Sequence, residues 1–293
     1  MFMLSEGEDH MAMTAQPALV AVHDMRKVPG WSPVRGELRY GPWRISVWAE
    51  PIHPGTSSLD HWVVSPLPNT MLRVAVMDAA VNANNGADAA EMGHHAVDTL
   101  AAELRRRPSA LDGVEAAHRR LHVPSRGPFR QPMATCAVVD LSMTSPSGRW
   151  VISADSEVWL RERSWHSVAG DALTPAARRD WDGWLREHPG AGDRERWSAQ
   201  EAILGSPGAW NNPSVGAFAE LKPASGEFGP VEEIVVSSDG ARLSPDILNS
   251  GRLHDHLRND LQVVSAGHGH PWPHGDVTVL HVSWDGRHDA GLM

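Results

Sequence analysis

The sequence contains very little cysteine, tyrosine or phenylalanine. Cys136 is the single cysteine in 293 residues, which excludes an internal disulfide framework and any zinc site built on clustered thiolates. Because it lies in the apolar run MATCAVVDL, we predict a plain core role for it. One Tyr and four Phe contrast with 13 Trp, seven of which lie between Trp150 and Trp210. Trp has a large apolar ring with one N–H that needs a hydrogen-bond partner. We therefore predict core and interface positions for most of the Trp residues.

The chain also lacks an excess of positive charge. It has 26 Lys+Arg against 36 Asp+Glu, a formal charge of −10 with His neutral. Nucleic acid and anionic membrane surfaces are therefore poor partners. No apolar run approaches the roughly 18–20 residues that a membrane-spanning helix needs, and the opening MFMLSEGEDHMAM is acidic where a signal peptide would be basic. We expect a cytoplasmic protein.

Several common catalytic motifs are missing as well. The sequence contains no G-x-x-x-x-G-K-[S/T], no G-x-S-x-G and no H-E-x-x-H pattern. These absences argue against P-loop nucleotide binding, a serine-hydrolase elbow and a zincin site.

The first half of the chain predicts strands followed by a helix pair. Residues 1–15 show no periodicity and are predicted to be a disordered leader before a single domain at 16–293. The segments ELRYGPWRISVWAE and LDHWVVSP alternate apolar and polar residues, as half-buried antiparallel strands do. LRVAVMDAA, at 72–80, is a near-continuous apolar run that predicts a buried strand. Three- and four-residue apolar spacing predicts helices at 86–107 and 109–121.

The second half mixes strands and helices. MATCAVVDLSM and GRWVISADSEVWLR, joined by SPSG, predict a hairpin. Residues 174–210 predict a Trp-rich helical flap of two short helices, separated at His188 to Gly192. A strand is expected at 231–240, a helix at about 244–263 and a final strand at 276–284. This order of elements indicates a mixed, mainly antiparallel α+β fold.

Aspartates recur where apolar strands meet turns. The positions are Asp60, Asp78, Asp155 and Asp239, and Asp276 opens the last strand. Carboxylates at strand ends can converge at one end of a sheet and bind hard divalent cations, which favour oxygen ligands. Asp also caps turns through local backbone hydrogen bonds, and for any single one of these residues that simpler role is favoured.

Taken together, six segments resemble the type 2C, metal-dependent family of Ser/Thr protein phosphatases over roughly residues 40–285. The segments are LDHWVV, VAVMDAAV, the pair MATCAVVDL and ISADSEVWL, EEIVVSSDGA, and GDVTVLHV. The resemblance implies a four-layer α/β/β/α sandwich of two antiparallel sheets flanked by helices.

The resemblance also implies an activity and a set of site residues. Asp78 would bridge two metals, Mn²⁺ or Mg²⁺, with the carbonyl of Ala79 beside it and Asp239 as the second direct ligand. Asp155 would match an aspartate that serves a third metal in some bacterial members, and Asp60 would orient water. Water held by the metals would then attack phosphorus in line. The substrate would be a phosphorylated protein or a small phosphoester, and a partner kinase would phosphorylate the protein substrate.

The last motif departs from the family pattern. Gly275 stands where the liganding Asp belongs, and the glycines that usually follow the bridging Asp are replaced. The lost ligand has two conceivable replacements: a one-residue slide of Asp276, or a nitrogen from His268, His270 or His274. A histidine ligand would favour Mn, Fe or Zn over Mg. A polar loop with no metal is the simpler alternative, so a pseudophosphatase binding module and a different metal-dependent reaction stay open beside phosphatase activity.

Overall fold

Two antiparallel six-stranded sheets form the centre of the protein in this computed structural model. The structure describes residues 21–23, 34–50, 60–68, 70–79, 89–241, 243–257 and 277–286. The leader predicted at 1–15 lies outside these residues.

The first sheet has the spatial order β1-β4-β5-β6-β7-β10. In that order its strands are β1 Ala21–His23, β4 His61–Leu67, β5 Met71–Ala79, β6 Ala134–Ser142, β7 Gly148–Ser153 and β10 Ala224–Phe228. The second sheet has the order β2-β3-β12-β11-β8-β9. Its strands are β2 Val34–Tyr40, β3 Trp43–Glu50, β12 Val277–Trp284, β11 Glu233–Ser237, β8 Glu157–Arg161 and β9 Trp165–Ser167.

Alternation along the strands explains how the sheets stack. On β3, Trp43, Ile45 and Val47 point into the core between the sheets, whereas Trp48 packs on the outer face. Strand β5 is covered on both faces, which is why its sequence is almost continuously apolar. The single cysteine, Cys136, is buried under the helical layer of the first sheet, as predicted.

Helices cover the outer face of each sheet. The helices are α1 Ala89–Arg106, α2 Ala110–Leu121, α3 Pro175–Glu187, α4 Asp193–Leu204, α5 Pro245–Asn249 and α6 Leu253–Asp255. Helices α1 and α2 bury their apolar stripes against the first sheet, and α5 and α6 pack on the second. The resulting order of layers is helix, sheet, sheet, helix, which confirms the predicted α/β/β/α sandwich.

The Trp-rich segment 174–210 contains the helices α3 and α4 with a break between them. Pro175 at the first position of α3 follows Thr174, whose hydroxyl accepts the Ala177 N–H and caps the helix. Trp181 is buried in a small core of its own with Leu204 and other apolar residues of the flap. Trp184 and Trp210 pack against the same core, so these three Trp side chains serve packing.

Two elements differ from expectation. The helix predicted over 244–263 is broken in its described part: α5 ends at Asn249 and α6 begins at Leu253, because Gly251 adopts a left-handed φ of +69° between them. Strand β10 was not predicted, since ASGEF lacks apolar alternation and joins the sheet by backbone pairing with β7. In the ranges that the structure describes, no helix has the length and apolar character needed to cross a bilayer.

Candidate active site

Four of the predicted aspartates come together at one end of the sandwich. Asp60 directly precedes β4, whose first residue His61 pairs with Met77 of β5, so Asp60 lies level with Asp78. Asp155 lies in the turn from β7 to β8, and Asp239 follows β11. Strands β8 and β11 are antiparallel neighbours, so the residues preceding β8 and those following β11 meet at the same edge.

The centre of this cluster is a pair of carboxyl groups. Asp60 is fully buried, and Asp78 is half-buried and lies beside it. Burial raises the pKa of Asp78 well above its ordinary value, and the nearby charges of Asp60, Asp239 and Asp155 raise it further. Both the burial and the surrounding carboxylates therefore disfavour a negative charge on Asp78.

Ser238 connects this pair to the second sheet. Its hydroxyl donates to Oδ2 of Asp60 at 2.8 Å and accepts the backbone N–H of Thr278 at 3.0 Å. Thr278 is the second residue of β12, so the start of that strand lies at the same end of the sandwich as the aspartates. Sequence reasoning missed Ser238 as a positioning group, although the triplet S-D-G contains it.

The turn that carries Asp155 has an unusual backbone. Ala154 adopts φ of +61°, a left-handed conformation uncommon for a residue with a Cβ. Ser156 is buried and hydrogen-bonded to Thr135 on β6, with 2.8 Å between the two hydroxyl oxygens. The side chain of Asp155 lies at the open side of the cluster, yet the protein atoms around its carboxylate raise its pKa by desolvation.

The remaining predicted ligands are placed as follows. Ala79 is the buried last residue of β5, directly after Asp78. Asp276 and His274, together with the other two histidines of that loop, lie outside the described residues. Within the described part of the chain, no three His, Cys, Asp or Glu side chains form a ligating group.

The donor set nevertheless fits a hard divalent cation in charge and in chemistry. Four carboxylates at one end of the sheets offer oxygen atoms only, which Mg²⁺ and Mn²⁺ accept. The charged neighbours that raise the pKa of Asp78 are other aspartates, and a bound cation would offset their repulsion. The described residues supply the negative charge that a cation needs, but they do not by themselves complete its coordination sphere.

The opposite end of the sandwich carries a separate open cleft. It has a volume of about 700 Å³. Its walls come from the turns on the far side of β8 and β11 and include Glu162, Arg163, His166, Glu232 and Trp284. The strand directions place this cleft away from the four aspartates, so it is not part of the candidate active site.

Comparison with known proteins identifies the fold through solved structures. No protein-family model matches the chain, and no curated protein matches it. The serine/threonine phosphatase of S. agalactiae is 15% identical with a TM-score of 0.55, covering 82% of this chain and 99% of its own. RsbX, solved in complex with magnesium, is 8% identical with a TM-score of 0.54, covering 85% and 99%. The Mycobacterium tuberculosis phosphatase PstP/Ppp is 13% identical with a TM-score of 0.50, covering 83% and 99%. The chain therefore has the fold of bacterial serine/threonine phosphatases.

Proposed function

We propose that this protein is a metal-dependent phosphatase that hydrolyses phosphoserine and phosphothreonine esters of proteins. The observation that carries the proposal is the meeting of Asp60, Asp78, Asp155 and Asp239 at one end of the sandwich. Two similar folds belong to proteins named serine/threonine phosphatases, and a third was solved with magnesium.

In this proposal each aspartate has a distinct role. Asp78, Asp239 and the carbonyl of Ala79 would hold two Mn²⁺ or Mg²⁺ ions. Asp276 or His274 would complete the first metal site, and Asp155 would serve a third metal. Cations held there would supply polarisation of the phosphoryl oxygens and a lowered pKa of bound water.

The residues beside the ligands act by position and charge. Asp60, held by the Ser238 hydroxyl, orients water and the Asp78 carboxylate. Carboxylates hold metals in the deprotonated form, so a cation at this site would favour the charged form of Asp78. No covalent nucleophile is needed, so positioning and electrostatics supply the catalysis.

The direct test is hydrolysis of p-nitrophenyl phosphate and of a phosphothreonine peptide by the purified protein, titrated with Mn²⁺ and Mg²⁺. We expect metal-dependent turnover that EDTA abolishes and that Asp78→Asn lowers by at least about 10²-fold. Asp112→Asn, on the exposed first turn of α2, makes the same charge change elsewhere and should leave turnover unchanged. Metal-independent turnover, or equal turnover in the two variants, would contradict the proposal.

A second candidate is a pseudophosphatase that keeps the fold as a binding module. One observation favours it: Gly275 replaces the expected carboxylate. This function predicts no turnover of either substrate at millimolar metal. The same assay therefore separates the two candidates.

A further inference from the structure

Three arginines surround one carboxylate where helices α1 and α2 meet. Glu103, in the last turn of α1, is buried. Its Oε1 accepts from Nη1 of Arg120 on α2 at 2.6 Å, and its Oε2 accepts from Nε of Arg107 at 3.2 Å. Nη1 of Arg106 lies 3.8 Å from Oε1. The Arg120 hydrogen bond chiefly lowers the pKa of Glu103, so this carboxylate stays charged at neutral pH.

One carboxylate cannot neutralise three guanidinium groups. Arg106, Arg107 and Arg120, which we call the arginine cluster, have side chains that are 69%, 49% and 57% exposed. Each guanidinium carries five N–H donors. Glu103 accepts only one hydrogen bond from Arg107 and one from Arg120. Most donors of the arginine cluster therefore remain for an external anion.

The neighbouring residues preserve this local excess of positive charge. Residues 103–120 contain five arginines and three acidic residues, although the whole chain has a formal charge of −10. Arg119 pairs with Glu115 on α2 at 3.6 Å, so that pair adds no net charge. Arg105 and Asp112 are both exposed and carry opposite charges. The arginine cluster is thus a basic surface on an acidic protein.

Buried contacts hold the backbone that carries the arginine cluster. The backbone N–H of Arg107 donates to the carbonyl of Glu103 at 3.1 Å, which extends the helical hydrogen bonding beyond α1. Arg73 is fully buried on β5, and its Nη1 donates to the carbonyl of Arg107 at 3.0 Å. A fixed backbone and a shared carboxylate order the arginines before a ligand arrives, which reduces the entropy lost on binding.

The arginine cluster lies away from the candidate active site. Arg73 and Asp78 are five residues apart on β5. A strand rises about 3.3 Å per residue, so the two positions are separated by about 17 Å along the sheet. Because Arg73 contacts the backbone of Arg107, a ligand at the arginine cluster leaves the aspartates accessible.

A short carboxylate-rich segment of a protein fits this surface better than a long polyanion. The planar fork of arginine matches the two oxygens of a carboxylate. Salt screens charges beyond about 8 Å at physiological ionic strength, so a short segment responds mainly to the local positive charge. Nucleic acid or an anionic membrane extends over the rest of the surface, where the excess of acidic residues repels it.

We propose that Arg106, Arg107 and Arg120 form a docking site for an acidic segment of a partner protein. Their solvent-facing N–H donors pair with Asp and Glu side chains of that segment. The proposal goes beyond the proposed phosphatase function and does not depend on it, because none of these residues belongs to the aspartate cluster.

The test is the fluorescence anisotropy of a labelled, glutamate-rich peptide titrated with the full chain, at low and at physiological ionic strength. The double variant Arg106→Gln/Arg107→Gln should weaken binding by about tenfold or more, because each arginine loses its contact with a charged group. Arg106→Lys/Arg107→Lys keeps the charge without the fork and should retain an intermediate affinity. Arg149→Gln/Arg163→Gln is the matched control. It removes the same charge from two exposed arginines elsewhere and should stay within about twofold of wild type.

A purely structural role for the arginine cluster gives a different result. In that case Arg106→Gln/Arg107→Gln lowers the melting temperature and leaves the peptide dissociation constant unchanged, which would overturn the proposal. If the double variant does not fold, Arg106→Gln alone provides the second test, because Nη1 of Arg106 is 3.8 Å from Glu103, beyond hydrogen-bonding distance. This single variant should weaken peptide binding about threefold. Wild-type affinity in it would overturn the proposal.

Two other probes decide the class of partner. A single-stranded oligonucleotide and vesicles that contain phosphatidylserine should bind more weakly than the peptide. Tighter binding of either probe, lost in Arg106→Gln/Arg107→Gln, would overturn the proposal, as would wild-type protein that binds no peptide at low salt. Equal loss of peptide affinity in Arg149→Gln/Arg163→Gln would also overturn it. Peptide binding is measured without turnover, so this test is independent of phosphatase activity.

Discussion

The buried ion pair between Arg73 and Asp140 joins the helical layer to the first sheet. Arg73 lies on β5 and is fully buried; its Nε and Nη2 donate to the two oxygens of Asp140 on β6 at 2.6 and 2.7 Å. Its Nη1 also donates to the carbonyls of Leu104 and Arg107 at the end of α1. Asp140 accepts the N–H of Ala110, the first residue of α2. The pair thus fixes the α1–α2 connection on the strand that carries Asp78.

Replacing Arg73 by Met keeps the length of the apolar stem but removes every one of these donors. Asp140 would keep only the Ala110 N–H among the hydrogen bonds described above, as a buried charge without its counter-ion. Removing one partner of a buried ion pair destabilises a protein by about 3–5 kcal/mol. The carbonyl groups at the end of α1 would also lose the donor they have in the wild type, which lowers the stability further. We therefore expect the free energy of unfolding to fall by at least about 3 kcal/mol.

The assay is urea unfolding followed by tryptophan fluorescence and circular dichroism. Arg149→Met is the control, because Arg149 forms an ion pair with Glu227 in which both side chains are about two-thirds or more exposed, 67% and 73%. Such a surface pair contributes about 0–1 kcal/mol. The double variant Arg73→Met/Asp140→Leu removes both charges and should lose less stability than the sum of the two single changes. Equal destabilisation by Arg73→Met and Arg149→Met would refute the reasoning.

Three further predictions follow from buried contacts. Gly113→Ala should lower the melting temperature, because the added Cβ would lie 3.0 Å from Cα of Leu104 where α1 and α2 cross; an unchanged melting temperature would contradict this packing. His118 accepts the Gly216 N–H at Nδ1, and desolvation chiefly lowers its pKa, so it is neutral in the fold and stability should fall as the pH drops below about 6.5. His118→Gln should reduce that slope in urea titrations at several pH values. Burial raises the pKa of Cys136 to about 12, so its thiol should resist Ellman's reagent at pH 8 in the native state and react after unfolding; reaction of the native protein would contradict its burial.

The regular parts of the fold were predictable because they depend on local apolar patterns. Strand β5 is buried on both sheet faces, so its sequence is a continuous apolar run. The hairpin of β6 and β7 is marked by the turn sequence between the two strands. The break at Gly251 was missed, since apolar spacing continues across it and only the left-handed φ reveals it. Strand β10 depends on pairing with β7 rather than on its own sequence.

The candidate site was only partly predictable for a similar reason. Aspartates at strand ends are visible in the sequence, and their order suggested that they converge. The groups that position them lie far away along the chain: Ser238 is 178 residues from Asp60, to which it donates. No local pattern marks the base of the flap as a neighbour of the turn that carries Asp155, because tertiary hydrogen bonds through Asn212 join the two.

The most direct test of the central claim is the Mn²⁺ dependence of phosphothreonine-peptide hydrolysis in wild type and Asp239→Asn. If the four aspartates form the metal centre of a phosphatase, wild type will show saturable activation by Mn²⁺. Asp239→Asn will then lose at least about tenfold in apparent metal affinity, together with most of its turnover. Activation by Mn²⁺ with the same midpoint and rate in both proteins would contradict the account.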